Sequence, residues 1–241
     1  MPNLPEIPRA YRGVASVLRP ILFAITRRDW QGAEKLPATG FIAAANHVTQ
    51  VDPVTLAHFL YDQGRAPKIT AKSSLWKVPV LGKILTSTGM IPVHRGTSGA
   101  AQSLVDSTTQ LDAGECVVFF PEGTLTRDPG LWPMVGKTGV ARLALSSRAP
   151  VVPIAQWGAQ DLLAPYGKLF KPIPRKQVHV HVGTPVDLSD LYDRPQDTAT
   201  LREATSRIMA AITSQLEVIR GERAPAEPYD PRKNRATEEN A

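Results

Sequence analysis

The sequence predicts a single α/β domain: a mixed, mostly parallel sheet flanked by helices, preceded by a basic amphipathic helical segment. Two observations carry this. From Gly40 onward, short apolar runs alternate with stretches of helical spacing, the rhythm of strand and crossover helix. The chain of 241 residues with 42% apolar side chains also suffices to close one core without division. The expected division is residues 1–30 as a helical membrane-association segment, 31–220 as the working domain and 221–241 as a disordered tail.

The opening segment, residues 8–28, places Tyr11, Val14, Val17, Leu18, Ile21, Leu22 and Ile25 three and four apart, among Arg9, Arg12, Arg19, Arg27 and Arg28. This spacing predicts a basic amphipathic helix with a bend at Pro20. Such a helix either lies in the headgroup layer of an anionic membrane or packs on the core, and both can hold at once. Strands are predicted at 41–45, 68–71, 90–93, 116–120, 151–155 and 177–182, each bounded by Gly, Pro or polar residues. Helices are predicted at 53–63, 97–113, 137–146 and 196–220. Residues 166–176 mix basic side chains with Leu169, Phe170 and Ile173, a loop suited to a membrane, a carrier protein or solvent. After Gly221 the prolines and charges leave too little apolar surface to pack.

There are 28 Lys and Arg against 22 Asp and Glu, a net charge of +6 that suits acidic partners: lipid headgroups, phosphorylated substrates or nucleic acid. Aromatic and basic residues do not interleave as on a nucleic-acid face, so no nucleic-acid partner is expected. Cys116 is the only cysteine, which excludes an internal disulfide and a cysteine-based metal site. His47, His58, His94, His179 and His181 do not cluster with acids at ligand spacing along the chain; His179 and His181 share one strand face where packing or solvent is expected. No metal and no bound cofactor are therefore implied. Neither a secretory signal nor a run of about 18 apolar residues is present, so the protein is expected to face the cytoplasm.

Three short segments carry chemistry. In Asn46-His47-Val48-Thr49-Gln50-Val51-Asp52-Pro53, His47 and Asp52 lie five apart across a turn where a strand meets a helix. There the carboxylate can hold one ring nitrogen while the other faces a substrate, as a general base acting on an alcohol requires. The same spacing also makes a helix cap or a surface pair. In Phe119-Phe120-Pro121-Glu122-Gly123-Thr124-Leu125-Thr126-Arg127, a carboxylate, close-approaching amides and hydroxyls follow a buried strand, with Arg127 suited to phosphate; a turn with a solvated acid is the plainer alternative. In Gly89-Met90-Ile91-Pro92-Val93-His94-Arg95-Gly96, Arg95 is placed to meet an anionic headgroup or is simply a basic residue at a strand end.

Together these segments resemble the glycerolipid acyltransferase family that includes bacterial 1-acylglycerol-3-phosphate acyltransferases. His47 and Asp52 match its His-x-x-x-x-Asp motif, with Asn46 before it. Gly89, Ile91, Pro92 and Arg95 match a second block, Phe120-Pro121-Glu122-Gly123-Thr124 a third and Val152-Pro153-Ile154 a fourth, in order across residues 32–183. Thr49, Gln50 and Val51 replace the small serines often found in the first block, a departure that bears on acceptor choice.

The resemblance implies that His47 and Asp52 are catalytic. It also implies that Arg95, Glu122, Gly123, Thr124, Arg127, Lys72 and Lys137 hold the phosphate of the acceptor. The implied activity moves a fatty acyl group from acyl-CoA or acyl-ACP to 1-acylglycerol 3-phosphate, forming phosphatidic acid, with 31–220 as the catalytic domain. Glycerol 3-phosphate or another lyso-lipid is the alternative acceptor. The implied partners are the lysophospholipid acceptor, the thioester donor, an anionic membrane surface and acyl carrier protein, at the cytoplasmic face of the cell membrane. A hydrolase is the competing enzyme class, disfavoured by the lack of a Gly-x-Ser-x-Gly turn. A non-catalytic membrane-surface binding module leaves the His47/Asp52 pair unexplained.

Overall fold

The structure is a computed structural model and describes residues 5–94 and 97–233. Arg95, expected at the acceptor site, lies outside the described residues. In chain order the elements are α1 (Arg9–Ile25), β1 (Thr26–Gln31), β2 (Phe41–Ala45), α2 (Asp52–Asp62), β3 (Lys68–Lys72), α3 (Pro79–Ser87), β4 (Ile91–Val93), α4 (Thr97–Asp112), β5 (Cys116–Phe119), α5 (Gly139–Ser147), β6 (Val151–Trp157), β7 (Lys176–Val182) and α6 (Thr198–Arg220).

The seven strands form one sheet in the order β1-β7-β6-β2-β5-β3-β4, parallel throughout except for the β6/β7 pair. The mixed, mostly parallel sheet expected from the sequence is thus observed. Its central strand reads Phe-Ile-Ala-Ala-Ala and every residue is fully buried, as a strand covered on both faces requires. Ile42, Ala44 and Val117 point into a core shared with α5 and α6, through Val140, Leu143, Ile208 and Ile212. Phe41, Ala43 and Val118 point the other way, into a core closed by Leu56, Phe59 and Leu60 of α2.

This division places the site. β2 and β5 are adjacent and parallel, with Phe41 opposite Cys116 and Ala44 opposite Phe119. The chain leaves β2 for a helix on one face and leaves β5 for a helix on the other. Their C-terminal ends therefore open a crevice between diverging connections, the usual ligand position in an open α/β sheet.

Four features differ from the sequence expectation. The first helix ends at Ile25, where the Thr26 hydroxyl donates back to the Leu22 carbonyl at 2.6 Å, and Arg27 and Arg28 belong to the edge strand β1. That strand has too few apolar residues to show a period of two. Residues 79–87 form an unexpected helix, α3, with Pro79 in its first turn. Gly82 lets it press on the preceding turn, since a Cβ there would sit 2.3 Å from the Trp76 carbonyl oxygen. The described part of the tail, expected to lie unpacked, returns to the domain: the Val135 amide donates to the Tyr229 carbonyl at 3.0 Å. Finally, the β1/β7 pairing sets Asp29 opposite His179, so two of the histidines read as lacking an acid do have one beside them.

The N-terminal helix packs and exposes apolar surface at once. Tyr11 stacks on Tyr61 with ring centroids 5.8 Å apart, and Arg19 meets Asp62 at 2.6 Å, so one face is fastened to α2. Val17 and Ile21, 63% and 50% exposed, lie on the other.

Candidate active site

His47 is separated from the end of β2 by Asn46 alone, and its backbone is held from both sides by the loop after β5. Its amide donates to Glu122 Oε1 at 2.9 Å, and its carbonyl accepts from the Thr126 amide at 2.7 Å. The ring stacks on Phe120, centroids 4.3 Å apart. Nδ1 lies 3.0 Å from Asp52 Oδ2, and the same oxygen accepts the amides of Val48 and Thr49, at 2.5 and 2.8 Å. Asp52 therefore closes the loop that precedes α2, and its side chain is used there rather than as a cap. Burial pushes its carboxyl above the ordinary carboxylate value, opposed by the His47 ring and the two amides.

The His47 side chain is 16% exposed against 2% for Asp52, and among the described residues nothing hydrogen-bonds Nε2. One ring nitrogen is anchored and the other is presented outward. This is the arrangement that lets an imidazole take a proton from a bound hydroxyl and be stabilised as it charges.

Glu122 lies deeper than its motif suggested. It is 2% exposed, and its second oxygen accepts the Met134 amide at 3.1 Å. Both oxygens are thus spent on backbone amides of two different loops. Burial pushes the carboxyl up to about 8 from its ordinary 4.5, opposed by those amides. An acid so engaged positions the His47 loop. The same side chain lines the cavity where other residues expected to hold the phosphate gather.

Cations do gather on the outer side of that turn. Glu122, Thr124, Arg127 and Lys137 line a cavity of about 240 Å³ whose far wall is Asp230, Pro231 and Arg232 from the returning C-terminal segment. Gly123 is left-handed, φ +68°, and a Cβ there would stand 2.7 Å from Lys137 Nζ, so the lysine stem crosses where any larger residue would have its side chain. The Gly123 amide is committed to the Phe120 carbonyl at 2.9 Å. Lys72 is exposed at the end of β3, beyond β5, and does not line this cavity.

With this geometry in place, the family can be assigned. The sequence profile of the family described as Acyltransferase matches residues 27–157, more than half of the chain. The chain belongs to the acyltransferase family. Among relatives of this acyltransferase, the 1-acyl-sn-glycerol-3-phosphate acyltransferase of Borreliella burgdorferi is 27% identical over 191 residues, covering 78% of this chain and 71% of its own. The chloroplastic 1-acyl-sn-glycerol-3-phosphate acyltransferase BAT2 of Brassica napus is 29% identical over 145 residues, which is 59% of this chain but only 40% of that protein. The crystal structure of the 1-acyl-sn-glycerophosphate (LPA) acyltransferase PlsC from Thermotoga maritima superposes with a TM-score of 0.65 at 18% identity, covering 89% of this chain and 81% of that one. The two share a fold.

The candidate site also draws on Gln156, outside the motifs, through the motif residue Asn46. Asn46 and Gln156 lock β2 to β6: Asn46 Nδ2 donates to the Gln156 carbonyl at 2.9 Å and Asn46 Oδ1 accepts the Gln156 amide at 2.8 Å. Gln156 Oε1 accepts from Thr55 on α2 at 3.1 Å, which ties the helix start to the same point. Gln156 is a polar residue one place from the end of an apolar strand, and that is its only signal in the sequence. Arg232 had none, because its part depends on where the tail returns.

The Glu122 arrangement predicts a pH dependence. Its folded value lies above its ordinary one, so its contribution to stability is whole below about pH 4.5 and drains away as pH rises toward about 8. Glu122→Gln, which cannot ionise, should flatten this part of the profile in urea unfolding at several pH values. It should also cost about 1–3 kcal/mol at low pH, because an amide offers one acceptor where two are needed. Identical pH slopes in the two proteins would rule Glu122 out as the source.

Proposed function

We propose that this acyltransferase moves a fatty acyl group from a thioester donor, acyl-CoA or acyl-ACP, to the free hydroxyl of 1-acylglycerol 3-phosphate, forming phosphatidic acid. The observation that carries this reading is the His47 ring, anchored through Nδ1 to buried Asp52 with Nε2 outward. His47 takes the acceptor's proton as that oxygen attacks the thioester carbon. A C–O bond forms, the C–S bond breaks, and the sulfur leaves with the proton returned from His47. Asp52 stabilises the imidazolium between these steps, and no covalent enzyme intermediate is needed. A positioned base is worth about 10²- to 10⁴-fold in rate, so His47→Ala should lose at least that much while keeping the circular-dichroism spectrum of the parent. Near-normal turnover by the folded variant would end this reading.

The acceptor's phosphate is assigned to the cavity walled by Arg127, Lys137 and Arg232, with the Thr124 hydroxyl beside them. Lys72 stands outside that cavity, and no phosphate contact is proposed for it here. Arg127 and Arg232 are both exposed, so each contributes less than a buried ion pair would. Arg127→Ala and Arg232→Ala should each raise the acceptor KM about tenfold, ~1.4 kcal/mol, with the donor KM unchanged. Equal effects on both substrates would place the phosphate elsewhere.

Among the described residues no helix is long and apolar enough to cross a membrane. Peripheral attachment to an anionic surface is the reading that the exposed apolar residues support, and the cytoplasmic face is proposed along with it. Val17 and Ile21 on α1 are joined by Leu169 and Ile173, 69% and 85% exposed, within a loop that carries Lys168, Lys171 and Arg175. Arg175 fastens this loop to the end of α1 by donating to the carbonyls of Phe23 and Thr26, both at 2.7 Å. Apolar tips among cations suit an anionic headgroup layer. Co-sedimentation with anionic vesicles should fall sharply for the double variant Val17→Glu, Ile173→Glu, while turnover of a short-chain, water-soluble acceptor persists. Unchanged sedimentation would reject this surface.

A further inference from the structure

A second cluster lies on the sheet away from the His47 loop. β1 and β7 run parallel with Asp29 opposite His179 and Gln31 opposite His181. Because side chains alternate along a strand, His179 and His181 share a face, and the pairing brings Asp29 onto it. His179 Nδ1 is 2.8 Å from Asp29 Oδ2, His181 Nε2 is 3.9 Å from the same oxygen, and the three ligand atoms all fall within 4.8 Å of one another.

His181 makes this more than a surface pair. Its side chain is 8% exposed, and its Nε2, aimed at Asp29, has no hydrogen-bond partner among the described residues. Buried polar atoms are nearly always satisfied, so an orphan nitrogen facing a carboxylate and a second imidazole calls for a cause. A proton on His181 gives at best a long contact to Asp29. A metal ion between the three groups satisfies all of them together.

We propose that Asp29, His179 and His181 form a binding site for a divalent transition ion of the zinc class. Two imidazoles and one carboxylate suit zinc, cobalt or nickel and disfavour magnesium and calcium, which take oxygen ligands. With bonds near 2.0–2.1 Å, tetrahedral ligands stand roughly 3.3 Å apart, within the observed spread of 2.8 Å to the 4.8 Å limit. Small side-chain rotations close the difference. The ion takes the place of the proton between His179 Nδ1 and Asp29, and the neutral His179 ring carries its proton on Nε2 instead. Asp29 and His179 are 35% and 27% exposed, so the fourth position opens to water.

Such an ion bridges strands rather than reacting. β1 is the sheet edge, it pairs only with β7, and it follows α1 directly. An ion shared by Asp29 and the two histidines therefore clamps the N-terminal helix and its strand to the domain.

The test uses the full chain after chelator treatment and dialysis. Cobalt(II) should bind at one equivalent with visible absorption of a nitrogen-ligated ion, and zinc should displace it. Excess zinc should raise the melting temperature by several degrees where excess magnesium does not. Asp29→Asn and His179→Gln, changes at partly exposed positions that leave the core intact, should each weaken cobalt binding at least tenfold and abolish the zinc-dependent shift. Acyl transfer by these variants, measured without metal, should stay at the parent level. A wild-type chain that takes up no cobalt overturns the proposal, and so does cobalt binding that is undiminished in both variants, which would place the ion at other histidines.

Discussion

The site depends on one buried carboxylate. Glu122 accepts a hydrogen bond from the amide of His47 and another from that of Met134. It thereby joins the loop after β2 to the stretch that follows the β5 turn. A carboxyl group removed from water is costly unless its oxygens are satisfied, and both are satisfied here by backbone rather than by mobile side chains. The Thr126 amide closes the same bracket on the His47 carbonyl. The imidazole consequently starts from a fixed peptide plane, and its ring is then held by Asp52 and by stacking on Phe120. Preorganisation of the proposed base is a property of backbone amides more than of the two motif residues.

Sheet topology makes that bracket possible. Parallel β2 and β5 lie side by side, and their helices leave to opposite faces, so the two loops meet over the crevice they create. β6 adds the Asn46–Gln156 lock from the other side of β2. The antiparallel β7 and the returning edge strand β1 then widen the sheet beyond the site. This half of the sheet holds α1 in place and carries the Asp29, His179 and His181 cluster. The outer surfaces follow from the same plan. Helix α1 packs on α2 and also meets α3 and β1, and the 166–176 loop reaches its end through Arg175; both still present apolar side chains outward.

Much of this was legible beforehand, for physical reasons. Buried strands of a parallel sheet are uniformly apolar, and the apolar run Phe41 to Ala45 coincides with β2. One loop supplies both His47 and Asp52, so their spacing permits the contact, while a catalytic part for them is implied by the family resemblance. Edge strand β1 was not legible, since Thr-Arg-Arg-Asp-Trp-Gln gains its pairing from β7, about 150 residues away. The two amide partners of Glu122 were not legible, because a motif cannot say whether its acid faces solvent or backbone donors.

The residues alone carried the class of fold, the five-residue spacing of His47 and Asp52 and the basic, amphipathic start, because strand–helix alternation, a short loop and a helical period are all patterns along the chain. Tertiary structure alone decided the contacts that join distant segments. These are the direction of the Glu122 side chain, the Asn46–Gln156 lock, the seat of Arg232 opposite Arg127, and the meeting of Asp29 with His179 and His181. Such contacts arise only when strand order and crossover face are set, and no local spacing encodes either.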